Sequence, residues 1–126
     1  MLNKRSLLLA LLWVLLLAGC QSSQTDNAPE YVIGGDPDKG QQVIAAYGCG
    51  SCHTIPGVPG ADSTVGPPLT DWAGRLYIAG ALPNRPDNLV RWLIDPQAIE
   101  PGTVMPNLLV TEQDARDMSA YLYSLR

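Results

Sequence analysis

The chain has 126 residues, a formal net charge of −4 and 46% hydrophobic residues, which is the size of one domain and leaves no room for a two-domain enzyme. Beyond residue 19, six basic side chains face twelve acidic ones, a balance that excludes nucleic acid and an anionic lipid surface as partners held by charge. Phe is absent and only two Trp follow the N-terminal segment, so few large side chains are available to fill a core.

In chain order, Lys4 and Arg5 make a positive start and Leu7 to Ala18 a twelve-residue apolar run, short for a transmembrane span and right for a secretory segment. The run ends Leu17-Ala18-Gly19-Cys20, which resembles the lipobox of bacterial lipoproteins. That resemblance implies a signal peptide over residues 1–19, cleavage before Cys20 and lipidation of its thiol; the alternatives are an ordinary signal peptide with a chance cysteine, or an uncleaved helix. Two or three acyl chains on one residue make a stable anchor, where a single chain is marginal. Residues 20–35 are polar and aperiodic and read as a tether, reaching about 50 Å at roughly 3.3 Å per residue. The expectation is an exported domain, residues 36–126, lipid-anchored on the outer, periplasmic face of a bacterial membrane.

Asp36-Pro37 is a helix start, an N-cap acceptor followed by proline at the first helical position, and Gly48 is the matching stop. Between them Gly40, Val43, Ile44 and Tyr47 share one face. A second helix runs from Pro86 to before Pro96 and buries Leu89, Trp92 and Leu93. Thr111 and Asp114 form a capping pattern, with Val110 stapled onto Ala115, and Ala115, Met118, Leu122 and Leu125 make the apolar stripe of a last helix. The Pro- and Gly-rich stretch from Thr54 to Leu69 reads as loop, and no segment alternates well enough to be a strand. The fold class is all-α, with three main helices and irregular loops.

The chemistry lies in Cys49-Gly50-Ser51-Cys52-His53. C-x-x-C-H is the attachment pattern of a c-type haem, each cysteine forming a thioether and the adjacent imidazole reaching the iron. His53 is the only histidine, and a large flat apolar ring would fill the space that phenylalanines do not. A zinc site wants four ligands in separated pairs, a set that Cys49, Cys52 and His53 complete only with a carboxylate from elsewhere. A thioredoxin-like dithiol wants a βαβ context, and a structural Cys49–Cys52 disulfide leaves the small core unexplained. With the single histidine taken, no Ser/His/Asp set exists, and no glycine-rich phosphate loop occurs. No catalytic residue and no small-molecule substrate are expected.

An iron bound by one histidine needs a sixth ligand, and Met/His is a known cytochrome pairing. Met1 leaves with the signal segment and Met118 sits on the packing stripe of the last helix. Met105 remains, in Pro101-Gly102-Thr103-Val104-Met105-Pro106, a loop stiffened by two prolines. The alternative is an open or water-filled sixth site.

Gly40, the CGSCH run, Gly66-Pro67-Pro68-Leu69, Gly74-Arg75, Asp95-Pro96 and the Pro101–Pro106 segment, in this order, resemble a class I cytochrome c over nearly all of residues 37–126. The stretch from Leu82 to Ile99 is similar to the cytochrome domain fused to subunit II of caa3-type cytochrome c oxidases. The resemblance implies the class I fold around one covalent haem c. It implies that the Pro67 carbonyl accepts the Nδ1 proton of His53 so that Nε2 meets iron, that Arg75 lies beside a haem propionate, Trp92 against the ring and Thr103 near the second propionate. Gly40 and Tyr121 would mark the crossing of the first and last helices. The implied function is an electron carrier, not an enzyme, taking electrons from a quinol-oxidising complex or periplasmic dehydrogenase and passing them to a haem-copper terminal oxidase. A fixed subunit of a larger complex, or a small haem enzyme or sensor with an open distal site, are the alternatives. The exported chain departs from mitochondrial-type relatives in having one lysine, Lys39, and five arginines, so the expectation is docking through an apolar haem edge assisted by a few arginines in place of a lysine ring.

Overall fold

The computed structural model describes residues 32–126; the expected signal segment, Cys20 and the tether up to residue 31 lie outside the described residues. Helix α1 is Pro37–Ala46. The Asp36 carboxylate accepts from the N–H groups of Asp38 and Lys39, and Pro37 opens the first turn, which satisfies donors that a helix start otherwise leaves orphaned. Gly48, at φ 71°, turns the chain into a 3₁₀ turn over Cys49–Ser51. A second 3₁₀ turn, Trp72–Gly74, follows the long loop.

A two-stranded antiparallel hairpin comes next, β1 (Tyr77–Ile78) with β2 (Leu82–Pro83), pairing Tyr77 with Pro83 and Ile78 with Leu82. The sequence reading has no strand here, because two residues are too few for an alternation to show. Helix α2 is Pro86–Ile94, and the single turn α3, Pro96–Ile99, is capped by the Asp95 side chain. Helix α4, Glu112–Ser124, is capped by Thr111, whose Oγ1 accepts from the Asp114 N–H. Val110 and Ala115 are both buried beside that cap, the packing expected of a hydrophobic staple. The three expected helices are present, at the expected ends.

Helix α1 packs most extensively on α4, and α2 packs on α4 as well. The α1–α4 crossing is set by Gly40: a Cβ there would meet the Asp117 carbonyl oxygen at 2.0 Å and Tyr121 Cβ at 2.9 Å. Only a residue without a side chain lets the two backbones approach this closely. Behind the crossing, Ile44, Leu89, Trp92, Leu93, Met118 and Leu122 form the core.

Among the described residues, 32–35, read from sequence as the end of the tether, are held against the helices. Val32 is buried, Gln113 Nε2 donates to the Gly34 carbonyl at 2.8 Å, and Arg116 Nη1 donates to that of Ile33 at 3.2 Å. The Asp36 N–H donates to Asp117 Oδ1 at 2.8 Å. One apolar side chain and three polar contacts therefore strap residues 32–36 along α4. None of these partners has the spacing of a helix or strand, so periodicity does not disclose them.

Candidate functional site

The 3₁₀ turn over Cys49–Ser51 folds both cysteines and the histidine onto one wall. The N–H groups of Cys52 and His53 both donate to the Cys49 carbonyl, at 3.2 and 3.0 Å. Two further backbone bonds, Gly66 N–H to Cys52 O at 2.7 Å and Leu69 N–H to Thr54 O at 2.8 Å, lay the 66–69 loop alongside. This brings the Pro67 carbonyl oxygen 2.7 Å from His53 Nδ1. A carbonyl only accepts, so Nδ1 carries the proton and Nε2 keeps its lone pair free for a metal. Gly66 is part of the same arrangement: a Cβ there would lie 2.6 Å from His53 Cε1 and 2.8 Å from Nδ1. The imidazole lies flat against backbone where any side chain would stand.

Above this wall opens a cavity of about 400 Å³ lined by Cys49, Cys52, His53 and Pro67 on one side, within the size range of sites that take a cofactor. Trp92, Leu89, Met118 and Leu122 from α2 and α4 line it too, as do Thr103 and Met105. The segment Glu100–Met105 is held by its own bonds: Thr103 N–H to Glu100 O at 3.1 Å, and Met105 N–H to Thr103 Oγ1 at 3.4 Å. It turns the Met105 side chain inward to pack on the core, while Val104 is 95% exposed. Met118, read from sequence as core, is fully buried and forms part of the cavity wall as well.

The remaining wall is the turn Trp72–Gly74 with Arg75. Arg75 Nη2 donates to the carbonyls of Pro68 and Thr70, and its Cζ lies 5.1 Å from the centroid of the Trp72 ring. Asn84 brackets this turn: Nδ2 donates to the carbonyls of Trp72 at 2.9 Å and Arg75 at 3.1 Å, and Oδ1 accepts from the Tyr123 hydroxyl at 2.8 Å.

All eight residues expected in the site from residue 49 onward, Cys49, Cys52, His53, Pro67, Arg75, Trp92, Thr103 and Met105, line this one cavity; Cys20 lies outside the described residues. Sequence reasoning missed Trp72, Tyr77 and Val65, which also line it. Trp72 is one of only two tryptophans after the N-terminal segment, and that rarity was its one available signal.

These residues fit a haem. The cavity is flanked by two thiols and a free imidazole nitrogen, its walls are mainly apolar, and the indole Nε1 of Trp72 is buried without a hydrogen-bond partner. Burial pushes the Cys49 thiol above its ordinary pKa, with the neighbouring Cys52 adding to the effect. No trio of His, Cys, Asp and Glu gathers as a metal site among the described residues.

Comparison with known proteins agrees with this geometry. The family model described as cytochrome c matches residues 37–126. Among similar curated proteins are the cytochrome c oxidase subunit 2 of Alkalihalophilus pseudofirmus, 38% identical over 90 residues, and that of Bacillus sp. (strain PS3), 31% identical over 104 residues. The matches cover 71% and 79% of this chain but 25% and 29% of those relatives. The chain therefore spans only about a quarter of the length of the proteins it matches.

Proposed function

The chain belongs to the cytochrome c family, binds haem c covalently and is an electron carrier, and from that premise we propose a membrane-tethered monohaem cytochrome that delivers electrons to a haem-copper terminal oxidase. Haem iron supplies one-electron exchange between its ferrous and ferric states. Cys49 and Cys52 would form the thioether links, and His53 Nε2, its ring held by Pro67, and Met105 would hold the iron. A neutral thioether in the ligand set would favour the ferrous state and raise the potential. Two prolines, Gly102 and the Thr103 bond hold the Met105 loop, which would keep its side chain in place in both redox states. Arg75, Trp92 and Thr103 complete the surround.

The observation that carries the oxidase assignment is that both relatives named above are oxidase subunits. The rim of the cavity supports it from the surface side. Val65, Tyr77 and Val104 line the opening and are 79%, 60% and 95% exposed, while Arg75 is the one charged residue in the lining. An apolar, almost uncharged rim fits an oxidase surface of the same kind and makes docking insensitive to salt. Lipidation at Cys20, after removal of residues 1–19, keeps the domain on the periplasmic face. Its electrons come from a quinol-oxidising complex or a periplasmic dehydrogenase. A second reading, a fixed subunit of one oxidoreductase complex, is favoured by the relatives being subunits; co-purification at constant stoichiometry identifies it.

Optical spectra of wild type and Met105→Ala test the ligand set. Loss of the long-wavelength band that reports sulfur on ferric iron supports Met105; its persistence moves the assignment to Met118. Electron delivery to an isolated haem-copper oxidase tests the partner. Rates that hold as salt rises and fall in Val104→Lys support the apolar rim, whereas rates that collapse with salt refute it.

A further inference from the structure

Each side chain of α4 that holds residues 32–35 by a hydrogen bond has a second partner within α4 itself. Gln113 Nε2, which donates to the Gly34 carbonyl, also donates to Asp117 Oδ1 at 3.0 Å. Arg116, whose Nη1 donates to the Ile33 carbonyl, is held through Nη2 by Glu112 Oε1 at 2.6 Å, one turn back. If residues 32–35 lift away, both side chains keep a partner, and the carbonyls they release lie where water can take them up. Opening the strap therefore strands no buried polar group, the loss that makes a packed contact costly to undo.

The strap is also lightly held. Val32 is buried, but Ile33 is 77% exposed and Gly34 is exposed as well. The Gly35 N–H closes the turn by donating to the Val32 carbonyl at 3.1 Å, with Gly34 at φ 75°, a left-handed conformation that suits glycine. Gly35 lies flush on α4, where a Cβ would collide with the Arg116 carbonyl oxygen. Two consecutive glycines lose more freedom on ordering than other residues, so one buried side chain and a few exposed bonds offset a large ordering cost. Segments of this kind open locally, far below the free energy of global unfolding.

The opening has a firm stop. Asp36 caps α1 with its own carboxylate and donates its N–H to Asp117 at 2.8 Å, and neither bond involves residues 32–35. Helix α1 stays on α4 through the close approach at Gly40. We propose that residues 32–35 form a latch, hinged at Gly34 and Gly35, that opens and closes on α4 while α1, α4 and the cavity stay in place. Its use rests on the tethered-carrier reading above. Closed, the latch brings the chain in on the face of α4 opposite Met118 and Leu122, which line the cavity. To meet an acceptor in the same membrane, the domain must turn its opening back toward the anchor. Open, the latch adds four residues of reach, about 13 Å at roughly 3.3 Å per residue, and lets the domain turn over.

The test is amide hydrogen exchange on the mature, reduced holoprotein. The Gly35 amide should be protected at least ~10-fold over unstructured chain, yet exchange at least ~100-fold faster than the Asp36 and Tyr121 amides. Its rate should be insensitive to dilute denaturant, because a local opening exposes little surface. Gly34→Ala, which disfavours the left-handed turn, should speed exchange at Gly35 roughly fivefold and leave Asp36, α1 and the axial spectrum as they are. An unprotected Gly35, or one that exchanges together with α4 and with the same denaturant dependence, overturns the latch. So does a Gly34→Ala variant that exchanges like wild type or loses protection along α1. If that variant does not mature, the wild-type exchange decides alone. Reach sets the effective concentration of tethered partners, so with cytochrome and a haem-copper oxidase in one vesicle Gly34→Ala should deliver electrons at least about twofold faster than wild type. In the Cys20→Ser background the two rates should match. Equal rates within the vesicle overturn the role in reach. A Cys20→Ser protein that stays on the vesicle overturns the tether reading, and exchange at Gly35 still decides the latch.

Discussion

Gly66→Ala probes the contact on which the orientation of His53 depends. The added methyl would stand 2.6 Å from Cε1, 2.8 Å from Nδ1 and 3.2 Å from Nε2 of the imidazole. Neither side can yield freely. The histidine is tied through its backbone N–H to Cys49 O and through Nδ1 to Pro67 O, and Gly66 N–H is itself bonded to Cys52 O. Relief comes only by swinging the ring off Pro67 or by lifting the 66–67 backbone, and both break the Nδ1 bond. Overpacking of this kind costs about 1–3 kcal/mol and the lost hydrogen bond about 0.5–1.5 kcal/mol, so a destabilisation of about 2–4 kcal/mol is expected. In a domain of this size Tm falls by roughly 8 °C or more. Thermal unfolding of the holoprotein reads the first effect, and the visible spectrum, which follows the iron's axial field, reads the second. A variant within about 0.5 kcal/mol of wild type and spectrally identical to it would refute the contact between Gly66 and the imidazole.

Gly40→Ala should act differently: its Cβ meets a backbone oxygen of Asp117 at 2.0 Å, so α1 and α4 must separate. A loss of about 3 kcal/mol or more in denaturant unfolding is expected, while the folded fraction keeps its axial spectrum; a change of spectrum without loss of stability would contradict it. Asn84→Leu removes the bonds to Trp72 and Arg75 carbonyls and the one from Tyr123, and should cost about 2–3 kcal/mol; a midpoint equal to wild type would show that the bracket carries no load. Two tyrosines impose an alkaline limit. The hydrogen bond from Tyr47 to the Asp114 carboxylate, and the burial of Tyr121, raise both phenols above their ordinary value of 10.0. The neutral phenols are the folded form, so their contribution is fully present below pH 10 and is lost as pH rises through the raised values. Ultraviolet titration should show two phenols ionising late, together with falling stability; Tyr47→Phe should remove part of that alkaline loss, and uniform ionisation at the ordinary value would disprove it. Cys20→Ser should release the protein from membranes into the soluble periplasmic fraction, as followed by fractionation, and a variant still sedimenting with membrane would argue against the lipid anchor.

The parts of the fold that were legible in the sequence are those governed by local chemistry. Asp36-Pro37 and Thr111 mark helix starts because their side chains satisfy backbone donors a few residues away, and C-x-x-C-H is readable because a fixed spacing serves a fixed macrocycle. What stayed hidden depends on contacts between distant segments. Trp72 sits in a stretch without periodicity, and its place in the cavity wall is set by Asn84, twelve residues on. Met118 repeats with the core stripe of α4, and its second role in the cavity wall follows from where α2 and the 3₁₀ turn leave a gap. Ile33 and Gly34 read as tether because nothing near them in sequence holds them; their partners, Arg116 and Gln113 of the last helix, lie some eighty positions away.

The strap over residues 32–36 decides how the domain is carried. Gln113 and Arg116 grip it from one side of α4, while Met118 and Leu122 face the cavity; positions 116 and 118 lie roughly 200° apart around a helix. The chain thus enters the domain at its back, on the far side of α4 from the haem chamber. The proposed anchor, fastened on that side, would leave the open rim unobstructed for a redox partner.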